Sequence, residues 1–167
     1  SLGYAFVDMD VVIEELMRKS IPQIFEDEGE MGFRDIESQV LHSIGERHSL
    51  VVGTGGGVVT QLKNWGFLHQ GIVIWLDPGR DRLLNRLKVD SSKRPLLMNK
   101  GPSDLEETFD SLLKARQPLY QEADLRVPVG SESPAGVASL ILENLPKILT
   151  SKSDLNAPRT SSDESLV

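Results

Sequence analysis

A single α/β domain built on a parallel sheet is what the sequence predicts, and three observations predict it. Short apolar runs at 4–7, 50–52, 72–76 and 125–129 lack strict apolar–polar alternation, the mark of strands covered on both faces. Between them lie segments whose apolar residues recur at three- and four-residue steps, as helices require. The chain has 167 residues and no cysteine. That length can bury roughly 70% of the unfolded surface, so a core needs neither disulfides nor a structural zinc.

The elements follow in order. The run at 4–7 ends in Asp8-Met9-Asp10 and reads as a buried strand reaching a loop. Val12, Ile13 and Leu16 then share a helix face, and a short helix through Ile21, Ile24 and Phe25 tolerates Pro22 in its first turn. Gly29 breaks it, and Phe33, Ile36, Val40, Leu41 and Ile44 form the core stripe of a longer helix. The strand at 50–52 runs into Thr54-Gly55-Gly56-Gly57. A helix near 61–69, the strand at 72–76 and a helix through Leu83, Leu84 and Leu87 come next. Periodicity fails over 90–103, rich in Ser, Lys, Pro and Gly, which reads as a mobile loop of about fourteen residues. A helix over 105–123, a strand at 125–129 and a closing helix over 134–149 complete the domain, assigned to 1–149. Residues 150–167 are mainly polar and read as a disordered tail.

Charge narrows the function. With 25 acidic and 18 basic side chains the net charge is −7, which argues against broad binding to nucleic acid or anionic membranes. An anionic ligand must then be held by a few placed arginines. The apolar runs fall far short of the ~20 residues that a membrane span requires. Without cysteine there is no thiolate metal site and no cysteine nucleophile. His42, His48 and His69 lack metal-ligand spacing, and Trp65 and Trp75 read as core or near-core aromatics. The chain opens on Ser1-Leu2-Gly3 with no charged-then-apolar leader, and so reads as starting partway through a longer sequence.

Five places can carry chemistry. Asp8 and Asp10, two apart at a strand's carboxyl end, can point the same way, where open α/β sheets bind ligands. Paired carboxylates there suit a Mg²⁺ shell or a substrate hydroxyl. The plainer role of Asp10 is to cap a helix beginning at Val11. Arg34 has Glu37 three residues on, so the carboxylate can lock the guanidinium while leaving its fork open to an anion. The plainer alternative is an ordinary surface ion pair. Three glycines at 55–57 clear side chains from a turn, so that a ligand can approach the backbone, where one glycine would serve a simple turn. Arg94-Pro95-Leu96-Leu97 holds an arginine extended in the loop, in the manner of an arginine finger. Arg116-Gln117-Pro118-Leu119-Tyr120 sets another arginine just before a helix-bending proline. For these two arginines a solvated side chain is the plainer role.

In this order and spacing, Phe6-Val7-Asp8-Met9-Asp10, Gly29-Glu30 with Phe33-Arg34-Asp35-Ile36-Glu37, Thr54-Gly55-Gly56-Gly57, Arg94-Pro95-Leu96-Leu97 and Arg116-Gln117-Pro118-Leu119-Tyr120 closely resemble shikimate kinase, from the first residue to about Leu149. The stretches Asn64-Trp65 and Ile74-Trp75-Leu76-Asp77 look most like the cyanobacterial and plastid branch. The resemblance implies a P-loop NTPase fold of the nucleoside monophosphate kinase type. It also implies transfer of the ATP γ-phosphoryl group to the 3-hydroxyl of shikimate, with Mg²⁺, in aromatic amino-acid biosynthesis. Asp10 matches the aspartate on shikimate's ring hydroxyls and is a candidate to take the reacting proton; Asp8 matches the one near Mg²⁺. Arg34 and Arg116 match the clamp on shikimate's carboxylate, with Gly56 and Gly57 as the backbone wall beside the ring. Arg94 matches the arginine that reaches the phosphates, and Arg86 the one beside adenine. A monomer when full-length is implied, in the bacterial cytoplasm, or in the plastid for a plant or alga.

One departure is severe. The family's Gly-x-x-Gly-x-Gly-Lys-Ser/Thr loop, which cradles the β- and γ-phosphates, does not occur in the 167 residues. By the family's strand order, the strand before that loop is the middle of the sheet, between those at 50–52 and 72–76. The expectation is an amino-terminally truncated shikimate kinase lacking about thirty residues, the size of a strand–loop–helix unit, and inactive as it stands. The alternatives are a non-catalytic relative that keeps the pocket for binding or regulation, and, more distantly, another small-molecule kinase such as a gluconate kinase.

Overall fold

The computed structural model describes residues 3–89 and 102–156, with the side chains of 89, 102, 103 and 153–156 excepted. Strand β1 (Ala5–Asp8) leads directly into α1 (Met9–Met17), and α2 (Ile21–Gly45) returns to β2 (Leu50–Gly53). A 3₁₀ turn (Val58–Thr60) and α3 (Leu62–Leu68) precede β3 (Ile74–Asp77) and α4 (Arg80–Val89). Helix α5 (Pro102–Tyr120), β4 (Leu125–Pro128) and α6 (Pro134–Asn156) follow.

All pairing is parallel, as expected. β1 lies on β2 with Phe6 opposite Val51 and Asp8 opposite Gly53, while β3 lies on β4 with Trp75 opposite Arg126. Among the described residues these are two separate two-stranded sheets. Among the described residues cover of the strands is incomplete, with Phe6 68% exposed, Val51 50% and Leu76 51%.

The core lies where α1 and α2 cover the first sheet. Met9, Ile13, Ile24, Phe33, Val40, Leu41, Ile44, Val58, Val59 and Trp65 form one cluster. The predicted stripe of the long helix is therefore inside, with Ile36 packed against it. On α1 the buried residues are Met9 and Ile13, while Leu16 stays 66% exposed. Gly29 does interrupt the helix, at φ 69°, but the two halves join across that kink. A second cluster joins Leu84 and Leu87 of α4 to Leu105 and Phe109 of α5. Arg80 staples the same two helices, donating to both Asp110 oxygens at 2.7 Å and to Glu106 at 2.8 Å. Its hydrogen bonds hold the Asp110 and Glu106 carboxyls below their usual range.

Several predicted boundaries move. Helix α5 begins at Pro102, inside the segment read as a loop, and ends at Tyr120. Strand β3 begins at Ile74, two residues later than the apolar run. Helix α6 continues past Leu149 to Asn156, into the segment read as tail. There Lys152 bonds Asp124 at 2.9 Å and donates to the Gly71 carbonyl, contacts that a composition count cannot foresee. No helix among the described residues is long and apolar enough to cross a membrane.

Candidate active site

The β1–β2 register brings the carboxyl end of β1 beside the start of the glycine loop, since Asp8 pairs with Gly53. Helix α1 begins at Met9, one residue after Asp8, so Asp8 and Asp10 are related by a helical step and not by strand alternation. The cap is Asp8, whose Oδ1 accepts from the Asp10 N–H at 3.0 Å, and not Asp10. Asp10 occupies the first helical turn, where a carboxylate complements the helix dipole. From there it faces the loop: a Cβ placed on Gly55 would lie 3.9 Å from Asp10 Oδ1.

Each glycine of the loop answers to a different constraint. Gly55 has φ +70°, a conformation that costs other residues about 1–2 kcal/mol. Gly56 leaves room for Tyr120, whose hydroxyl would stand 2.8 Å from a Cβ there. Gly57 leaves room for Arg34: a Cβ would stand 2.6 Å from both Cζ and Nη2 of the guanidinium. The close approach inferred from three glycines is thus made in part by the protein's own side chains. Beyond the loop, the 3₁₀ turn is held from α3, where Asn64 donates to the Val58 carbonyl at 2.8 Å and Trp65 to the Val59 carbonyl at 3.1 Å. The sequence marked those two residues without assigning them this work, although a buried indole N–H signals a partner.

Arg34 is no surface ion pair. It is 7% exposed, Glu37 3%, and Nη1 donates to Glu37 Oε2 at 2.8 Å. Glu30 stands 3.5 Å from Nη2 on the solvent side, and the buried Nε has no hydrogen-bond partner among the described residues. Burial pushes the Glu37 carboxyl up, while the Arg34 guanidinium pulls it back down. Asp10 reinforces the rise and Arg116 opposes it, so both stand within electrostatic range of the pair. Arg116 arrives on α5, which packs on the 3₁₀ turn. It is half-buried, and no described carboxylate lies within ion-pair distance of it.

The structure therefore gathers Asp10, Arg34, Arg116 and the glycine wall at 56–57 into one site beside Asp8. Arg86 is exposed on α4, and no hydrogen bond or ion pair joins it to these residues among those described. Arg94 lies outside the described residues. Glu37 and Tyr120 were quoted in motifs, but neither the burial of the first nor the carbonyl bond of the second could be read from spacing.

Two cationic side chains, a carboxylate and a backbone wall thus stand together at the strand ends of a parallel α/β protein, where such folds carry ligand sites. A family model described as shikimate kinase matches residues 1–146. The shikimate kinase of Prochlorococcus marinus (strain MIT 9313) is 57% identical over 155 residues, 93% of this chain and 79% of that protein. That of Parasynechococcus marenigrum (strain WH8102) is 56% identical over 148 residues, 89% of this chain and 76% of that protein. Among solved structures, shikimate kinase from Acinetobacter baumannii in complex with shikimate matches with TM-score 0.77 and 38% identity, covering 90% of this chain and 81% of that one. The chain belongs to the shikimate kinase family, and so to the nucleotide-binding phosphotransferases that use ATP as co-substrate.

Proposed function

We propose that this site binds shikimate, with its carboxylate between Arg34 and Arg116, and serves transfer of the ATP γ-phosphoryl group to the 3-hydroxyl. The observation that carries the reading is Arg34. A buried guanidinium locked by Glu37 against the glycine wall, its Nε without a described partner and Arg116 close by, supports a site that donates to an anion. Asp10, in the first turn of α1 and facing the loop, is the carboxylate we assign to the ring hydroxyls and to the reacting proton. The chain's own contribution is to orient the acceptor and to set opposite charge beside its carboxylate.

The described residues hold no cluster of three or more Asp, Glu or His fit for a metal ion. Asp8 fits Mg²⁺ in the way such sites use one or two carboxylates plus phosphate oxygens and water. The ion would neutralise phosphate charge. The triphosphate fits less well, because no Gly-Lys-Ser/Thr loop occurs in the 167 residues. Strands β2 and β3 each have one described partner. We infer that these residues alone bind ATP poorly, and that turnover needs such a loop seated between β2 and β3. The bacterial relatives support a cytoplasmic setting.

Calorimetry with shikimate, shikimate methyl ester and Mg·ATP tests this. Two charge-assisted bonds at about 1.5–3 kcal/mol each predict at least ~100-fold weaker binding of the uncharged ester. ATP should give no micromolar affinity. Equal affinity for acid and ester would reject the clamp, and micromolar ATP binding would reject the inferred need for a further loop.

A further inference from the structure

Tyr120 lies four residues beyond Arg116 on α5, so both side chains leave the same face of that helix. Its hydroxyl donates to the Gly56 carbonyl at 2.8 Å. Its ring stacks on Trp75 of β3, with centroids 5.6 Å apart and planes 30° apart. Trp75 is itself braced: the Arg126 guanidinium sits 4.8 Å from its ring and pairs with Asp77 at 2.6 Å. The two sheets share no ladder among the described residues. Tyr120 thus ties β3 to the loop that follows β2.

The bond to Gly56 also sets a direction. In a planar trans peptide the carbonyl and the next N–H point opposite ways. Tying the Gly56 oxygen to Tyr120 therefore turns the Gly57 N–H away from α5. Gly57 is the residue whose missing side chain admits the Arg34 guanidinium. The phenol consequently governs both the tilt of the wall and the space in which Arg34 lies.

We propose that Tyr120 is a positioning residue for shikimate binding, acting through the Gly56–Gly57 peptide and braced by Trp75. The proposal rests on the shikimate-pocket reading above. It assigns Tyr120 no contact with the reacting atoms.

Tyr120→Phe removes the hydroxyl and keeps the stacked ring. Loss of one neutral hydrogen bond predicts about three- to tenfold weaker shikimate binding by calorimetry. The melting temperature should stay within about 2 °C, since the ring and its packing remain. In ¹H–¹⁵N spectra the Gly57 amide should move, because its peptide carbonyl has lost a donor, while the amides of α1 stay in place. Trp75→Leu, which keeps the hydroxyl but removes its brace, should move the same amide in the same direction by a smaller amount. An unchanged affinity with an unmoved Gly57 amide would overturn the proposal. So would a joint fall in affinity and melting temperature with shifts spread along α5 and β3, which marks a general packing role. A wild-type chain giving no heat with shikimate overturns the pocket reading instead. Tyr120 is then judged by the Gly57 amide alone, an unmoved amide refuting it.

Discussion

Arg34→Met is expected to remove measurable shikimate binding and to lower the melting temperature by roughly 10 °C. Both effects have one cause. Arg34 and Glu37 are 7% and 3% exposed and bonded at 2.8 Å. Removing the cation strands a buried carboxylate, which costs about 3–5 kcal/mol, and each kcal/mol lowers the melting point of a domain this size by roughly 2–4 °C. The Glu37 carboxyl, already pushed up by burial, should rise further once its opposing partner is gone. A second substitution separates the two roles. Arg34→Met with Glu37→Leu removes the stranded charge, so stability should return by at least half while binding stays absent. Thermal melts and calorimetry on both variants check this. A double variant that binds shikimate as the wild type does would show that the anion is held elsewhere.

Gly57→Ala is expected to weaken shikimate binding about 30- to 100-fold, a large effect for one methyl group. The backbone is not the reason: Gly57 has φ −88° and ψ −23°, which alanine adopts freely. The new Cβ would stand 2.6 Å from Arg34 Cζ, where carbon contacts settle near 3.5–4.0 Å, so either the guanidinium or the wall must move. Overpacking of this kind costs about 1–3 kcal/mol, and here it displaces the group that holds the ligand. Gly55→Ala makes the contrasting case, since its Cβ meets nothing nearer than Asp10 Oδ1 at 3.9 Å while φ is +70°. It should lose stability to backbone strain and disturb Arg34 less. Calorimetry and melts on the pair separate the mechanisms. Equal binding losses in both would mean that the loop matters as a unit and that the Gly57 contact is incidental.

The legibility of this molecule divides along physical lines. Local signals held. Apolar runs located all four strands, and the stripe from Phe33 to Ile44 located the inward face of α2, because periodicity is a property of the chain itself. Questions of partnership did not yield to it. Asp8 and Asp10 were placed by strand alternation, yet α1 starts at Met9, so Asp8 caps the helix and Asp10 alone faces the loop. A helix start two residues earlier than Val11 moved the cap from Asp10 to Asp8. Leu16 fits a core stripe as well as Met9 does, and only the packing of α2 distinguishes them.

The glycines show the same limit from another side. That three in a row serve more than a turn was legible. That Gly57 makes room for Arg34, and Gly56 for Tyr120, was not, because both neighbours come from distant helices. The Arg34–Glu37 spacing marked a pair, but a surface pair has the same spacing. Its burial under the loop is a tertiary fact.

The central claim is that an anion is clamped between Arg34 and Arg116 beside the glycine wall. The most direct measurement is calorimetric titration of shikimate into the 167-residue chain as wild type, Arg116→Ala and Arg47→Ala. Arg47 is exposed and serves as the control. Wild type and Arg47→Ala should bind alike, and Arg116→Ala should bind at least about tenfold more weakly, the worth of one charge-assisted contact. Arg116→Ala binding shikimate as tightly as the wild type would contradict that claim.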